Sequence, residues 1–143
     1  MGLDAVIGGA NSVLKTLLTG GGLARVHEDA SEAIQQVPAT MIVPHKGTLE
    51  WPRKPNQRMT THDLTLTLVV SRGGDLASAD KALKPWVDKI VALFDQNITL
   101  GGTTFNAGVV DYDYGHVEYA GTLYLGITFT LRAVEIATVN YHG

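Results

Sequence analysis

The side chains best suited to chemistry are four acidic and imidazole groups close together in the sequence, Asp111, Asp113, His116 and Glu118. Alternate residues of a β-strand lie on one face, so Asp111 and Asp113 are expected about 7 Å apart, a spacing that suits a hard divalent cation. The segment lacks the glycine and glutamate spacing of an EF-hand loop, and the sequence offers no second carboxylate cluster to complete the coordination. We therefore expect a solvated acidic strand face. The alternative is a divalent-metal-dependent enzyme or ligand-binding domain.

No other pattern in the sequence predicts catalysis. The five histidines are scattered, and no serine lies in the G-x-S-x-G turn of a hydrolase. The chain has no cysteine, which excludes disulfides, thiolate metal ligands and a cysteine nucleophile. We expect no enzymatic activity, no bound metal and no cofactor.

Length and composition predict one domain spanning residues 1–143, because the chain can bury one core but is short for two. A net charge of −3 argues against a nucleic-acid binder that neutralises phosphates. The charged fraction of 17% is below the usual level of about 25%, which indicates surface covered by partners. The sequence shows neither a signal peptide nor an apolar stretch approaching the ~20 residues of a membrane span, so a soluble protein made in the cytoplasm is expected.

The strongest structural pattern is the alternation of apolar and polar residues along Thr122–Ile136. It predicts a β-strand whose apolar face carries Leu123, Leu125, Ile127, Phe129 and Leu131. Fifteen residues at roughly 3.3 Å each reach about 50 Å, which is more than a small core requires. The excess is expected either to project as a hairpin with residues 111–119 or to be shared with a neighbouring subunit.

The remaining patterns predict an α+β fold, in which two main helices pack on one face of an antiparallel-rich β-sheet and long β-hairpins project from it. A strand is expected over Gly108–Tyr114, with Val109, Asp111 and Asp113 sharing a face. The other predicted elements are a helix over 3–18, a strand over 23–27, helical turns over 29–36, a strand over 39–43 closed by Pro44, a strand over 60–70, a helix continuing to residue 94 across Pro85, a strand or turn over 97–104, and a turn over 115–121.

Residues 45–58 are polar and rich in basic side chains, and they predict a protruding loop or open hairpin. Trp51 is followed in the sequence by Arg53, Lys54 and Arg58. An aromatic side chain among cationic ones is typical of binding surfaces, which predicts a partner-docking loop. A solvated loop without a partner is the alternative.

Several segments together resemble the tail terminator, or tail completion, proteins of long-tailed bacteriophages. The segments are Val37–Pro44, His62–Leu66, Trp86–Phe94, Asn97–Thr103 and Tyr119–Glu135. The resemblance covers nearly the whole chain, so residues 1–143 are expected to form a single tail-terminator-like domain.

The resemblance implies a structural virion protein of the phage tail or neck, synthesised in the host bacterial cytoplasm. It implies a ring, usually of six subunits, that caps the head-proximal end of the tail tube, ends tube polymerisation and docks the head connector. The partners implied are further copies of the chain, the tail tube protein and the connector or head-closure protein, with no membrane. Another neck or tail component, such as a head-closure or tail-tube subunit, is the alternative.

The ring model predicts roles for two sets of side chains. Asp111 and Asp113 are expected to face the lumen, where their negative charge would let DNA pass without binding. Thr128, Thr130 and Arg132 are expected to form an inter-subunit face.

Overall fold

In the computed structural model, seven elements are described over residues 2–18, 20–28, 37–51, 57–72, 76–119 and 121–138. They are α1 (Leu3–Lys15), β1 (Arg25–His27), β2 (Ala39–Glu50), β3 (Gln57–Arg72), α2 (Leu76–Asp95), β4 (Asn106–Tyr119) and β5 (Thr122–Thr138). The strands form one sheet in the order β1-β2-β3-β5-β4. β1 runs parallel to β2, and the other three pairings are antiparallel. The prediction of an α+β fold is confirmed. The helical turns expected over 29–36 lie outside the described residues.

The hydrophobic core forms where alternate residues of β3 and β5 meet side chains of both helices. Leu66 and Leu68 of β3 and Ile127 and Phe129 of β5 are fully buried. They belong to one cluster with side chains of α1 and α2, including Val6, Leu14, Ile90 and Phe94. We call this side of the sheet the core face. Removing these apolar side chains from water, at roughly 25 cal/mol per Å², is the main favourable term for the fold.

Both helices have the apolar spacing that this core requires. In α1 the buried positions include Val6, Ala10 and Leu14, which recur every four residues and therefore lie on one side. Gly9 lies on the same helix where a Cβ would stand 2.3 Å from the carbonyl oxygen of Leu100. The glycine that weakens the helix in isolation therefore allows the turn after α2 to pack directly against it.

The prediction that α2 continues across its internal proline is confirmed. Leu76–Asp95 is one helix with Pro85 inside it. Leu83, Trp86, Ile90 and Phe94 are buried on both sides of the proline, and Pro85 itself is exposed. Because the apolar stripe keeps its phase, burial of this stripe outweighs the lost backbone donor.

Two strands, β2 and β4, continue at least five residues past the point at which the sequence predicts that they end. β2 does not close at Pro44 but continues to Glu50, with an irregularity in pairing between Pro44 and Lys46. Proline is tolerated there because β2 lies at the edge of the sheet over this stretch and proline is compatible with bulges. β4 continues through the residues expected to turn, and Tyr119 pairs with Thr122 across a tight connection. The chain therefore contains two long hairpins, β2–β3 and β4–β5.

A β-bulge in β4 changes which side chains share a face. Val109 is paired with Leu131 on the core face, whereas Asp111 is paired with Thr130 on the opposite face. The register shift between Val109 and Asp111 inserts one extra residue, Val110. The prediction that Val109 shares a face with Asp111 is therefore wrong, while Asp111 and Asp113 do share one.

The alternation predicted for β5 holds through its centre and fails near the β4–β5 turn. Leu125 through Leu131 place their odd-numbered side chains in the core, but Leu123 is 49% exposed. Tyr124, expected on the polar face, is buried in a second cluster with Met41 and Val69. A small apolar cluster on the second face of the sheet therefore covers this end of the strand.

Candidate functional site

The four side chains with metal-ligating chemistry are divided between the two faces of the sheet. Residues directly opposite each other on paired strands lie on the same face. Asp111 and Asp113 are opposite Thr130 and Thr128, whereas His116 and Glu118 are opposite Leu125 and Leu123. The intervening backbone separates the two carboxylates from the other pair. Across the described ranges, no group of three or more His, Asp or Glu side chains is placed to hold a metal ion.

The face opposite the core carries a central block of threonines. Thr65 and Thr67 of β3 are directly opposite Thr130 and Thr128 of β5. All four are partly buried. We call this side of the sheet the threonine face. It is the side on which the bulge in β4 places the two aspartates.

Both sets of side chains predicted from the ring model lie on the threonine face. Arg132 also lies there, and its Nε donates a hydrogen bond of 2.8 Å to Oδ1 of Asp63, while a terminal guanidinium nitrogen is 3.3 Å from Oδ2. Asp111 and Asp113 are direct neighbours of Thr130 and Thr128. The side chains predicted to face the lumen and those predicted to contact a neighbouring subunit therefore lie on one continuous surface.

Charges of alternating sign cross this face from one side of the sheet to the other. Lys46 of β2 is opposite Asp63 of β3, which is opposite Arg132 of β5. The hydrogen bond from Arg132 holds the pKa of Asp63 below its ordinary value, and the positive charges of Lys46 and His45 act in the same direction. The Asp63 carboxylate raises the pKa of Arg132, to which Asp111 of β4 adds. We call Lys46, Asp63, Arg132 and Asp111 the charged row.

The two ends of the charged row coincide with open edges of the sheet. In the described part of the chain β4 pairs with β5 alone. On the other side, β1 covers only Ala39–Met41 of β2. The following residues, Pro44–Glu50, are all exposed. Each edge therefore presents backbone donors and acceptors that no described strand satisfies.

β4 also exposes large apolar and aromatic side chains beside α2. Tyr112 and Tyr114 are 48% and 53% exposed, and their rings stack with centroids 6.3 Å apart. With Leu83, Val87 and two charged residues of α2 they line an open cleft of about 280 Å³. The sequence does not predict this surface, although it does show two tyrosines at alternate positions of one strand.

The partner-docking residues predicted around Trp51 do not form one loop. Trp51 follows β2 directly and is 61% exposed, next to Leu49 at 59%. Arg53 and Lys54 lie outside the described residues. Arg58 belongs to β3 rather than to a loop, and its side chain is partly buried. Within the described residues, the segment therefore consists of two paired strands of a hairpin, and Trp51 directly follows the first of them.

Arg58 lines a second cleft at the far end of the core face. Its Nε is buried with no hydrogen-bond partner. The cleft has a volume of about 530 Å³ and includes Thr60, Phe105 and Glu135. Glu135 is held by His62, whose Nε2 is 2.8 Å from a carboxylate oxygen. Arg58 therefore lines a cleft of mixed polar and apolar side chains, formed by residues of β3 and β5 and by the segment before β4.

Comparison with known proteins adds no relatives to this description. No protein-family model matches the sequence, and no curated protein matches it at a significant level. Among the helices described, none is both long and apolar enough to cross a membrane.

Proposed function

We propose that this chain is a structural subunit of a closed ring, hexameric in its complete form. The ring caps the head-proximal end of a phage tail tube, ends tube polymerisation and presents a docking surface to the head connector. The proposal is based on the resemblance of the sequence to tail terminator proteins. One structural observation supports it further, which is that the far half of β2, Pro44–Glu50, is exposed although it pairs with β3.

In this proposal the β2–β3 hairpin projects from the domain, because the side chains in the far half of β2 are not part of the hydrophobic core. In β2, Ala39–Ile42 are buried, whereas Pro44–Glu50 are exposed. Exposed strands contribute little apolar burial to the stability of their own domain. Leu49 and Trp51, both about 60% exposed, lie at the end of β2 and directly after it. Such a surface is stabilised when a neighbouring subunit or a tail component covers it.

The proposal includes the finer description of the fold, with the helices on one face of an antiparallel-rich sheet and the β2–β3 and β4–β5 hairpins projecting. The helix side is the bulkier side of such a subunit. In a closed ring the bulkier side faces outwards, because the circumference is larger there. The threonine face then lines the lumen, where Asp111 and Asp113 repel DNA phosphates.

This arrangement favours the lumen over the inter-subunit role for the threonine face. The side chains predicted to contact a neighbour, Thr128, Thr130 and Arg132, belong to β5. That strand is paired with β3 on one side and with β4 on the other along nearly its whole length. Both edges of β5 are therefore occupied, so a strand of a neighbouring subunit can pair only with another edge of the sheet.

The experiment measures the mass of the purified protein and its effect on tail tubes. Six chains of 15.3 kDa give a ring of about 92 kDa, which sedimentation velocity and native mass spectrometry resolve from a monomer. Electron microscopy of the protein mixed with tail tubes is expected to show density at one end of each tube. A species that stays monomeric at all concentrations, or that polymerises into tubes itself, contradicts the proposal, and the second result identifies a tube subunit.

A further inference from the structure

We propose that neighbouring subunits join edge to edge, so that β4 of one copy pairs antiparallel with residues 45–50 of β2 in the next copy. The partner for each edge is a second copy of this chain. This inference rests on the ring of the proposed function and assigns its subunit contact to named strands.

The two edges are open and lie at opposite ends of the sheet. β4 has 14 residues and no described strand beyond it. The exposed stretch of β2 begins at Pro44, three residues after Met41, the last residue that pairs with β1. Long open edges readily add a further strand, because their backbone groups are already in the extended geometry of a ladder. A contact between unlike edges is head-to-tail, which is the type that generates a ring when the rotation closes.

Strand direction is compatible with a continuous sheet. β2 is antiparallel to β3, β3 to β5, and β5 to β4. β2 and β4 therefore run in opposite directions within one subunit. Cyclic symmetry preserves those directions, so β4 meets the neighbouring β2 as an antiparallel pair and the alternation continues across the contact.

The charged row distinguishes this contact from the other edge pairing that β4 could make. Pairing of two β4 edges about a two-fold axis brings Asp111 and Asp113 of one copy towards those of the other, and like charges opposite each other are destabilising. Pairing with β2 instead continues the row, because it ends in Asp111 at one edge and in Lys46 at the other. The alternation of sign then repeats from subunit to subunit.

In the register of the proposed contact, residues that are aligned across one sheet are also aligned across the contact between copies. This register brings side chains of the two copies together on both faces of the sheet. Lys46 is in line, through Asp63 and Arg132, with Gly108 of β4. In the neighbouring copy it therefore stands opposite Gly108 and diagonal to Asp111, within reach of a long side chain.

On the core face, the same register brings two exposed apolar residues together. Leu49 is opposite Thr60, which is opposite Glu135, and the backbone N–H of Phe105 is bonded to the carbonyl oxygen of Val134 beside it. Leu49 is 59% exposed and Phe105 is 66% exposed. Contact between subunits covers both side chains, which neither subunit covers alone.

Cysteine cross-linking tests the strand assignment directly, because the chain has no cysteine of its own. The variant carries Lys46→Cys and Gly108→Cys, and a Cβ at Gly108 meets no atom within 4 Å. Within one subunit the two positions are three strand spacings apart, about 14 Å, which is too far for a disulfide. Mild oxidation is expected to give a ladder of covalent multimers that ends at the ring size. The two single variants are the controls and are expected to give no ladder.

The outcomes separate this inference from the proposed function. Disulfide-linked dimers from the single variant Tyr112→Cys, whose position lies between the two aspartates, indicate pairing of two β4 edges and overturn the inference. A ring of about 92 kDa without the ladder leaves the proposed function standing and also overturns the edge assignment. A monomer before oxidation contradicts the ring itself.

Charge reversal tests the same contact between subunits independently. Lys46→Glu places a carboxylate next to Asp111 of the neighbour and is expected to weaken ring assembly roughly fivefold per contact at low salt, with a smaller effect at high salt. The double variant Lys46→Glu with Asp111→Lys is expected to restore assembly. Circular dichroism verifies that each variant is folded. Failure of the double variant to recover any assembly contradicts the charge complementarity.

Discussion

Replacing two adjacent residues of β5 by aspartate tests both the face assignment and the direction in which the threonine face points. Ile127 is fully buried in the core. Loss of its burial costs roughly 1.5–3 kcal/mol, and an unpaired buried carboxylate adds several kcal/mol. Small domains are stable by only about 5–15 kcal/mol. Ile127→Asp is therefore expected to leave the chain unfolded at 25 °C, whereas Ile127→Val is expected to fold.

Thr128 follows Ile127 but is directed to the threonine face, opposite Thr67 and Asp113. A carboxylate there adds like-charge repulsion with Asp113, which costs about 1 kcal/mol or less. Thr128→Asp is therefore expected to fold and to melt only a few degrees below the unaltered protein. Thr128→Asn, which has the same shape without the charge, controls for the change of side chain.

The assays are circular dichroism with thermal unfolding, followed by sedimentation velocity. Equal unfolding of Ile127→Asp and Thr128→Asp would refute the assignment of alternate β5 residues to two faces. If the face lines the lumen, Thr128→Asp retains the ring. Loss of the ring in Thr128→Asp but not in Thr128→Asn would place the face between subunits, as the sequence pattern predicts, and would refute the lumen assignment.

Three further variants test the packing, an ion pair and the docking surface. A Cβ at Gly126 would lie 2.4 Å from the carbonyl oxygen of Leu68, so Gly126→Ala is expected to lower the free energy of unfolding by about 1–3 kcal/mol. A Cβ at Gly108 meets no atom within 4 Å, so the control Gly108→Ala is expected to be neutral or slightly stabilising in the same thermal unfolding assay. Arg132→Met removes the group that lowers the pKa of Asp63 from its ordinary value of 3.8. A lowered carboxyl pKa contributes stability above the unfolded pKa, so the melting difference from the unaltered protein is expected at neutral pH; it should shrink as the pH falls below 3.8 and disappear once the pH is below the lowered pKa of the folded state. Trp51→Ala is expected to leave the melting temperature unchanged because the side chain is 61% exposed, and to reduce binding to tail tubes in a co-sedimentation assay.

The sequence predicts the elements whose side-chain period is regular. Ile127 and Phe129 alternate strictly with polar neighbours, and the stripe through Trp86 and Ile90 keeps a helical period across a proline, so burial follows the pattern. Such a period depends only on the local conformation of one segment and on which of its sides is buried. It does not depend on which strand lies alongside.

The features that escaped the sequence depend on register between distant segments. Because of the bulge at Val110, the residues of β4 before it lie on the opposite face from the one that strict alternation with the later residues predicts. No residue type at this position indicates a bulge. The charged row needs Lys46, Asp63 and Arg132 to be level across three strands, although they are far apart in the sequence. The continuation of β2 beyond Pro44 follows from pairing with β3, which outweighs the local signal for a strand end.

Pro44 has a further consequence for how strands add to this edge. Proline has no backbone N–H, so the row of donors along β2 is interrupted at this residue, and the pairing irregularity follows directly after it. The subunit's own β1 adds to the sheet before the interruption, opposite Ala39–Met41. A strand of another chain would find an uninterrupted row of backbone hydrogen-bonding groups only in the part of β2 that follows Pro44. In the proposed ring, Pro44 would therefore separate the segment of β2 that pairs with β1 from the segment that is open to a strand of a neighbouring copy.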